Sequence, residues 1–145
     1  FSKLYGIAGL RVGYGLCSPK TAGRLQHYLN RSSPNTLAIA AASAALKDKD
    51  WHNASVKIWS ECKKVVADCL NELGLHYFES HTAFLFHEIL GDQDLYIRRM
   101  RDQGILVGRK FPPILSHNRL SLSSTPEGLI RFTDTLRKFR SKGWV

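Results

Sequence analysis

The chain has 145 residues, of which 43% are hydrophobic and 10% aromatic, and its formal net charge is +9 at pH 7. This composition is ample for a hydrophobic core and excludes wholesale disorder, and the longest apolar stretch, residues 36–46, is too short to span a bilayer. The basic residues are spread along the chain without a dense run or interleaved aromatic residues, so the charge does not indicate a nucleic-acid-binding protein.

The cysteines and histidines do not indicate a metal or redox site. Cys17, Cys62 and Cys69 include no CxxC pair, and the six histidines show no metal-ligand spacing. Cys62 and Cys69 lie on the apolar stripe of a predicted helix, where small buried side chains are expected. The chain also begins with no pattern typical of a signal peptide. We therefore expect no metal and a reducing, cytoplasmic location.

Helix starts are marked by a hydroxyl residue followed by proline at Ser18-Pro19, Ser33-Pro34 and Thr125-Pro126. The hydroxyl can cap the helix, and proline suits the first helical position because its missing N–H needs no partner there. Before the first of these helices, residues 11–16 alternate in a pattern that predicts a short strand.

An Ala-rich segment, residues 37–46, predicts a helix on which another backbone packs closely. The polar residues 47–50 interrupt the pattern, and a long amphipathic helix is predicted from Trp51. Its apolar stripe has spacings of three and four residues and consists of Ile58, Cys62, Val65, Val66, Cys69, Leu70 and Leu73. Gly74 is expected to end this helix as its C-terminal cap.

The remaining residues alternate between strand and helix patterns. Strands are predicted at residues 75–78, 83–88, 105–107 and 119–123. One helix is predicted at 92–103, closed by Gly104, and a last amphipathic helix carries Leu129, Phe132, Leu136 and Phe139. This interleaving predicts α/β or α+β layers, with residues 1–50 and 51–145 as different structural units joined by the long helix.

The first fourteen residues combine a lysine, a glycine-rich turn and an arginine, in the order Phe1-Ser2-Lys3-Leu4-Tyr5-Gly6-Ile7-Ala8-Gly9-Leu10-Arg11-Val12-Gly13-Tyr14. Because glycine lets the backbone approach a ligand closely, Ser2, Lys3 and Arg11 could converge on one anion. From the residues alone, the alternative is an ordinary solvated lysine near a chain end.

This segment resembles the active-site signature of fold-type I enzymes that depend on pyridoxal 5'-phosphate (PLP), and it is most similar to the histidinol-phosphate aminotransferase branch. The resemblance implies that Lys3 is the catalytic residue that binds the cofactor covalently, and that Ser2 and Arg11 bind the cofactor phosphate. It also implies that the chain is the C-terminal part of an α/β enzyme. Residues 1–50 would be the end of its large cofactor-binding domain, and residues 51–145 its α+β small domain.

Three later segments extend this resemblance over nearly the whole chain. Ser33-Pro34-Asn35-Thr36 is similar to a Pro-Phe-Asn-Val motif before an Ala-rich helix, although Asn35 stands where an aromatic residue is usual. Residues 80–86 resemble a Ser-x-x-Asn-Phe strand, with Ala83 in the place of asparagine. Residues 104–113 resemble a Gly-Val-x-Val-Gly-Arg-x-Phe-Pro-Pro stretch.

Arg119 and Arg109 are the candidate substrate-binding residues. Residues 118–127 resemble a Leu-Arg-Val-Ser-Ile-Gly-Thr-x-Glu-Glu segment whose arginine binds the substrate α-carboxylate, which implies that role for Arg119. The usual glycine is replaced by Ser124 or absent in register, a departure that affects the local turn. Arg109 could hold an anionic substrate tail or could be structural, and an exposed surface arginine is the alternative for Arg119.

The resemblance implies a PLP-dependent aminotransferase that transfers an amino group between an amino acid, with histidinol phosphate as the candidate, and a 2-oxo acid. Its implied partners are these small molecules and a second subunit of a homodimer. The family residues that contact the cofactor ring precede the lysine and are absent from this chain, so we expect the isolated chain to be inactive. The alternatives are a decarboxylase of a phosphorylated amino acid on the same fold, and a non-catalytic truncated paralogue or binding module.

Overall fold

The computed structural model describes residues 1–29 and 33–145. The chain divides into two compact units, residues 1–55 and 56–145, and the division falls inside a long helix. Within the described ranges, no helix is both long and apolar enough to cross a membrane.

Helix α1 (Pro19–Gln26) belongs to the first unit and begins where it is predicted. The side-chain oxygen of Ser18 accepts a hydrogen bond from the Thr21 N–H at 3.3 Å, which satisfies one of the free donors of the first turn. The strand predicted at residues 11–16 is wrong. An extended segment forms a strand only by pairing with a neighbour, and no such pairing of this segment occurs within the described ranges.

Helix α2 (Thr36–Ala45) begins later than predicted. The predicted cap at Ser33 is wrong, because the Asn35 side chain accepts the capping hydrogen bond from the Ala38 N–H at 2.9 Å. Asparagine is as effective a helix cap as serine, and Asn35, which directly precedes the helix, is the residue that caps it. Ala38 and Ala42 are the buried residues of this helix, and their small side chains permit close packing.

Helix α3 (Lys49–Glu72) begins two residues before its predicted start. The Asp48 carboxylate accepts a hydrogen bond from the Trp51 N–H at 2.9 Å, which caps the first turn. Within the predicted apolar stripe, the fully buried residues are Cys62, Val66, Cys69 and Leu70. The predicted cap at Gly74 is confirmed, since Gly74 has a φ of 66° and the next N–H, of Leu75, donates to the Leu70 carbonyl at 2.9 Å.

The second unit contains an antiparallel sheet of order β1-β2-β3. Its strands are β1 (Tyr77–Phe78), β2 (Phe84–Glu88) and β3 (His117–Ser121), each near a predicted strand but with shifted ends. In the register, Phe86 lies opposite Phe78 on one side and Arg119 on the other. The sheet therefore places Arg119 in an edge strand, directly beside Phe86.

The strand predicted at residues 105–107 is wrong. This segment has no strand assignment, and the nearby backbone is joined to β3 by the hydrogen bond from the Gly108 N–H to the Arg119 carbonyl, at 2.9 Å. A single bond does not make the repeated ladder of a strand. The segment instead runs beside β3 as a connection from the helix that precedes it.

Two helices complete the second unit, α4 (Gln93–Asp102) and α5 (Glu127–Ser141). The Asp92 carboxylate caps α4, and the Thr125 hydroxyl accepts a hydrogen bond from the Gly128 N–H at the start of α5. The prediction for the last helix is confirmed, because its stripe is buried at Leu129, Phe132, Leu136 and Phe139. These side chains form one core with the buried face of α3 and the inner residues of the sheet.

Candidate active site

The predicted lysine segment is a compact loop in the first unit. The Gly6 N–H donates to the Lys3 carbonyl at 3.1 Å, and Gly6 has a φ of 67°, which an L side chain rarely adopts. A short 3-10 turn, Ala8–Leu10, follows and ends at Arg11, which has a φ of 56°. The glycine at position 6 thus allows the chain to reverse directly after the lysine.

Two side chains from later in the first unit, one from the cap of α2 and one from α3, hold this loop. The Trp51 indole N–H donates to the Leu4 carbonyl at 2.8 Å. The Asn35 amide Nδ2 donates to the Leu10 carbonyl at 3.2 Å, while its Oδ1 caps α2. Both ends of the loop are therefore fixed by hydrogen bonds to its backbone. Neither Asn35 nor Trp51 is predicted to have this role from the sequence.

The three predicted cofactor residues are carried by this loop but are not joined to one another. Arg11 is exposed, and its Nη1 donates to the Ala8 carbonyl at 2.6 Å, which leaves further N–H groups for a ligand. Lys3 is exposed and Ser2 is partly buried. Among the described residues, no side-chain hydrogen bond engages the Lys3 amine or the Ser2 hydroxyl. The loop therefore carries the hydrogen-bond donors that an anion site needs. Within the described part of the chain, no contact holds these three side chains together around a single ligand position.

The two predicted substrate residues lie in the second unit, where Arg119 lines an open, apolar pocket of about 300 Å³. The other lining residues are Phe84, Phe86, Phe111 and Ile114. The guanidinium carbon of Arg119 lies 5.1 Å from the ring centroid of Phe111 and 5.5 Å from that of Phe84. Both distances are within the range of cation–π attraction.

Arg119 also carries an unsatisfied donor. Its Nε is buried and has no hydrogen-bond partner among the described residues. A buried donor without a partner costs about 1–3 kcal/mol relative to a satisfied one, and more when the group is charged. A carboxylate can accept from this N–H and an adjacent one in the two-pronged geometry that guanidinium favours. The arrangement therefore suits a ligand with both a carboxylate and an apolar part.

Arg109 is placed near this pocket by the close approach of its segment to β3. A β-carbon at Gly108 would lie 2.5 Å from the Arg119 carbonyl oxygen, and the Asn118 Nδ2 donates to the Gly108 carbonyl at 2.8 Å. The guanidinium carbon of Arg109 lies 4.6 Å from the centroid of the Phe111 ring. Both predicted arginines thus contact the same phenyl ring.

The aromatic lining of the pocket is a feature that the sequence interpretation missed. Phe84 and Phe86 are two residues apart on β2, so they lie on one face of the sheet, and their alternation is a detectable signal. Phe111 comes from a distant segment, and its ring meets that of Phe86 edge-on at 6.0 Å. The sequence contains no local pattern that predicts this long-range contact.

Two histidines on the pocket strands are held neutral by their surroundings. His87 on β2 is fully buried, with its Nδ1 3.0 Å from the Glu88 carbonyl oxygen and its Nε2 3.3 Å from the Tyr96 hydroxyl. Burial lowers the pKa of His87 to about 4. The pKa of His117 on β3 is also lowered, by burial and by the charge of His76, whose Nδ1 lies 3.2 Å from the His117 Nε2.

Comparison with known proteins gives a consistent family match. The sequence model for aminotransferase class I and II matches residues 1–136. A histidinol-phosphate aminotransferase from Brevibacillus brevis is 36% identical over 107 residues, which is 74% of this chain and 29% of that protein. The chain spans between about a quarter and two fifths of the length of the curated relatives it matches, from 28% to 38%.

Solved structures match over the same range. A protein from Erwinia carotovora atroseptica, provisionally named a histidinol-phosphate aminotransferase, aligns with a TM-score of 0.83 and 33% identity over 100% of this chain and 42% of its own. Histidinol-phosphate aminotransferase from Sinorhizobium meliloti, solved in complex with PLP, aligns with a TM-score of 0.68 and 26% identity, over 98% of this chain and 40% of its own. These matches confirm the predicted mixed α/β fold.

Proposed function

Because the chain belongs to the family of class I and II aminotransferases, we propose that its whole protein is a PLP-dependent aminotransferase. It transfers an amino group from an amine donor, with histidinol phosphate as the candidate, to a 2-oxo acid, with 2-oxoglutarate as the acceptor. The observation that carries the proposal is the buried, unpartnered Nε of Arg119 on the wall of an apolar pocket. The carboxylate of the 2-oxo acid is a group that satisfies such a donor, whereas histidinol phosphate presents a phosphate instead of a carboxylate.

The residues of the lysine loop fit the proposed cofactor. The loop offers an exposed amine at Lys3, a hydroxyl at Ser2 and a guanidinium at Arg11, which match an aldehyde and a phosphate. A β-carbon added at Gly9 or Gly13 would meet nothing within 4 Å, so the backbone is unobstructed at these two positions of the loop. Lys3 would bind the cofactor covalently, and Ser2 and Arg11 would bind its phosphate.

Each of these residues has a defined chemical task. PLP, when bound, supplies an electron sink that stabilises negative charge on the substrate α-carbon. The Lys3 amine, once released by the substrate, acts as the general base that takes the α-proton on its Nζ. The Arg119 guanidinium binds and orients the substrate carboxylate, and Arg109 binds the anionic tail of the substrate.

The domain assignment and the partners are part of the same proposal. Residues 1–50 are the end of the large domain and residues 51–145 the small domain, which is supported by a division of the chain into compact units at residues 55 and 56. The whole protein acts on small molecules as a homodimer in the cytoplasm, and it binds neither nucleic acid nor membrane. Amino-acid biosynthesis is the role we propose for it, because histidinol phosphate is the proposed substrate.

The test is a coupled assay of the whole protein with PLP, histidinol phosphate and 2-oxoglutarate. Formation of glutamate in proportion to loss of the donor is the expected result. Release of carbon dioxide from a phosphorylated amino acid without glutamate formation would instead identify a decarboxylase. No turnover and no covalent cofactor at Lys3 would identify a non-catalytic protein.

A further inference from the structure

Phe111 is the residue that the two substrate arginines have in common. The guanidinium carbons of Arg109 and Arg119 lie 4.6 Å and 5.1 Å from the centroid of its ring. A cation over an aromatic face is attracted to the negative face of the ring, and the attraction is stronger when water is excluded. The ring therefore fixes both guanidinium groups by a force that does not use any of their N–H donors.

The Phe111 ring is important for the orientation of Arg119 because the buried Nε of this side chain has no hydrogen-bond partner among the described residues. A guanidinium is usually oriented by hydrogen bonds to acceptors, but the buried Nε of Arg119 has none within the described ranges. Phe84 also contacts the group, at 5.5 Å, and lies on β2 opposite Ser121. The arginine is thus held between phenyl rings while its donors stay available.

The position of Phe111 is itself fixed by its neighbours. Its ring packs edge-on against Phe86, and its backbone forms an isolated bridge with Ile114, whose N–H donates to the Phe111 carbonyl at 2.8 Å. The preceding Gly108 is hydrogen-bonded to the Arg119 backbone. The ring is therefore a fixed platform rather than a side chain that follows the arginine.

We infer that Phe111 is a positioning residue, which holds the Arg119 and Arg109 guanidinium groups in the orientation that receives an anionic substrate. The inference about substrate rests on the proposed function, but the inference about orientation does not. In this role Phe111 contributes to binding of the substrate carboxylate and does not contact the reacting atoms.

The orientation is tested by nuclear magnetic resonance of the arginine Nε–H groups in this 145-residue chain. A proton over the face of a phenyl ring resonates upfield of its ordinary position. We expect upfield Nε–H signals for Arg119 and Arg109 in the unmodified chain, a return toward the ordinary position in Phe111→Leu, and retention in Phe111→Tyr. Phe78→Leu is the matched control, because Phe78 stacks on Phe86 without contacting either arginine.

Carboxylate binding is tested by titrating the unmodified chain and the same variants with 2-oxoglutarate. The dissociation constant should rise about five- to thirtyfold in Phe111→Leu, the factor expected for loss of one cation–π contact, and should be retained in Phe111→Tyr. Ordinary Arg119 and Arg109 signals in the unmodified chain would overturn the inference, and this measurement needs no variant to fold. Upfield signals that do not respond to 2-oxoglutarate would support the positioning role and would count against carboxylate binding by this chain, whereas the proposed function of the whole protein is decided separately by the coupled assay.

Discussion

The backbone of Gly108 lies so close to that of Arg119 that no other residue fits at position 108. A β-carbon there would stand 2.5 Å from the Arg119 carbonyl oxygen and 3.1 Å from the Arg119 β-carbon. The Gly108 N–H donates to the same carbonyl at 2.9 Å. This contact places the segment with Arg109 and Phe111 against β3. The geometry of the pocket therefore requires glycine, which has no side chain, at position 108.

Gly108→Ala should destabilise the chain by about 1–3 kcal/mol, because the overlapping atoms belong to backbone that cannot move aside without strain. Urea denaturation followed by circular dichroism measures the free energy of unfolding. Gly23→Ala is the control, since a β-carbon at this helical position meets nothing within 4 Å and alanine favours the helix. Equal stability of Gly108→Ala and the unmodified chain would contradict the close approach.

Arg119→Lys in the whole enzyme should lower kcat/KM for the carboxylate substrate roughly tenfold to over a hundredfold, the effect of about 1.5–3 kcal/mol for a charge-assisted hydrogen bond. Lysine keeps the charge but loses the two-pronged geometry. The affinity for PLP should stay unchanged, which separates substrate binding from cofactor binding. Arg131→Lys, at an exposed position on α5, should leave both constants near their original values.

Lys3 is expected to carry the cofactor in the whole enzyme. Borohydride reduction followed by peptide mass mapping should place the pyridoxyl mass on Lys3. Lys20, an exposed lysine in the first turn of α1, serves as the internal comparison and should remain unmodified. A label on Lys20 rather than Lys3 would refute the assignment of the catalytic lysine.

Stability should fall as the pH drops from about 6.5 to 4, because the pKa of buried His87 is lowered to about 4. In this window the unfolded chain binds a proton that the folded chain does not, so the free energy of unfolding rises with pH, by on the order of 3 kcal/mol over the window for this one group. Above pH 6.5 the histidine is neutral in both states and contributes no further slope.

His87→Gln should flatten this dependence in urea denaturation experiments between pH 4 and 7. Some slope should remain from His117, whose pKa is also lowered. His81→Gln, an exposed position, is the control and should keep the full slope. An unchanged slope in folded His87→Gln would show that another group causes the pH dependence.

The sequence predicted the structure best where one strong periodic pattern covers a long element. The stripe of α3, its Gly74 cap and the buried face of α5 follow from spacing and from one residue with a positive φ. The element ends were less predictable, because Ser33 and Asn35 are both good caps and only the surrounding structure decides between them. The apolar residues 105–107 have the sequence pattern of a strand, but they do not form the repeated backbone hydrogen bonds with β3 that would make them one.

The candidate site was predictable only in part. The arginines and the lysine are identified by motifs, but their surroundings depend on contacts across long stretches of sequence. Phe111 and Phe84 come from separate segments, and nothing local to either indicates that both rings contact Arg119. The hydrogen bond between Trp51 and Leu4 joins residues 47 positions apart, and no periodic pattern in the sequence predicts it.

That indole contact gives the lysine loop an optical reporter of its own. The Trp51 indole N–H is hydrogen-bonded to the carbonyl of Leu4, the residue that follows Lys3, so a movement of the loop that breaks this bond changes the hydrogen bonding of a fluorophore. With Trp59 and Trp144 replaced by phenylalanine, the emission maximum of the remaining tryptophan would follow the loop directly. Ordering and opening of the segment could then be timed by stopped-flow fluorescence without an attached dye.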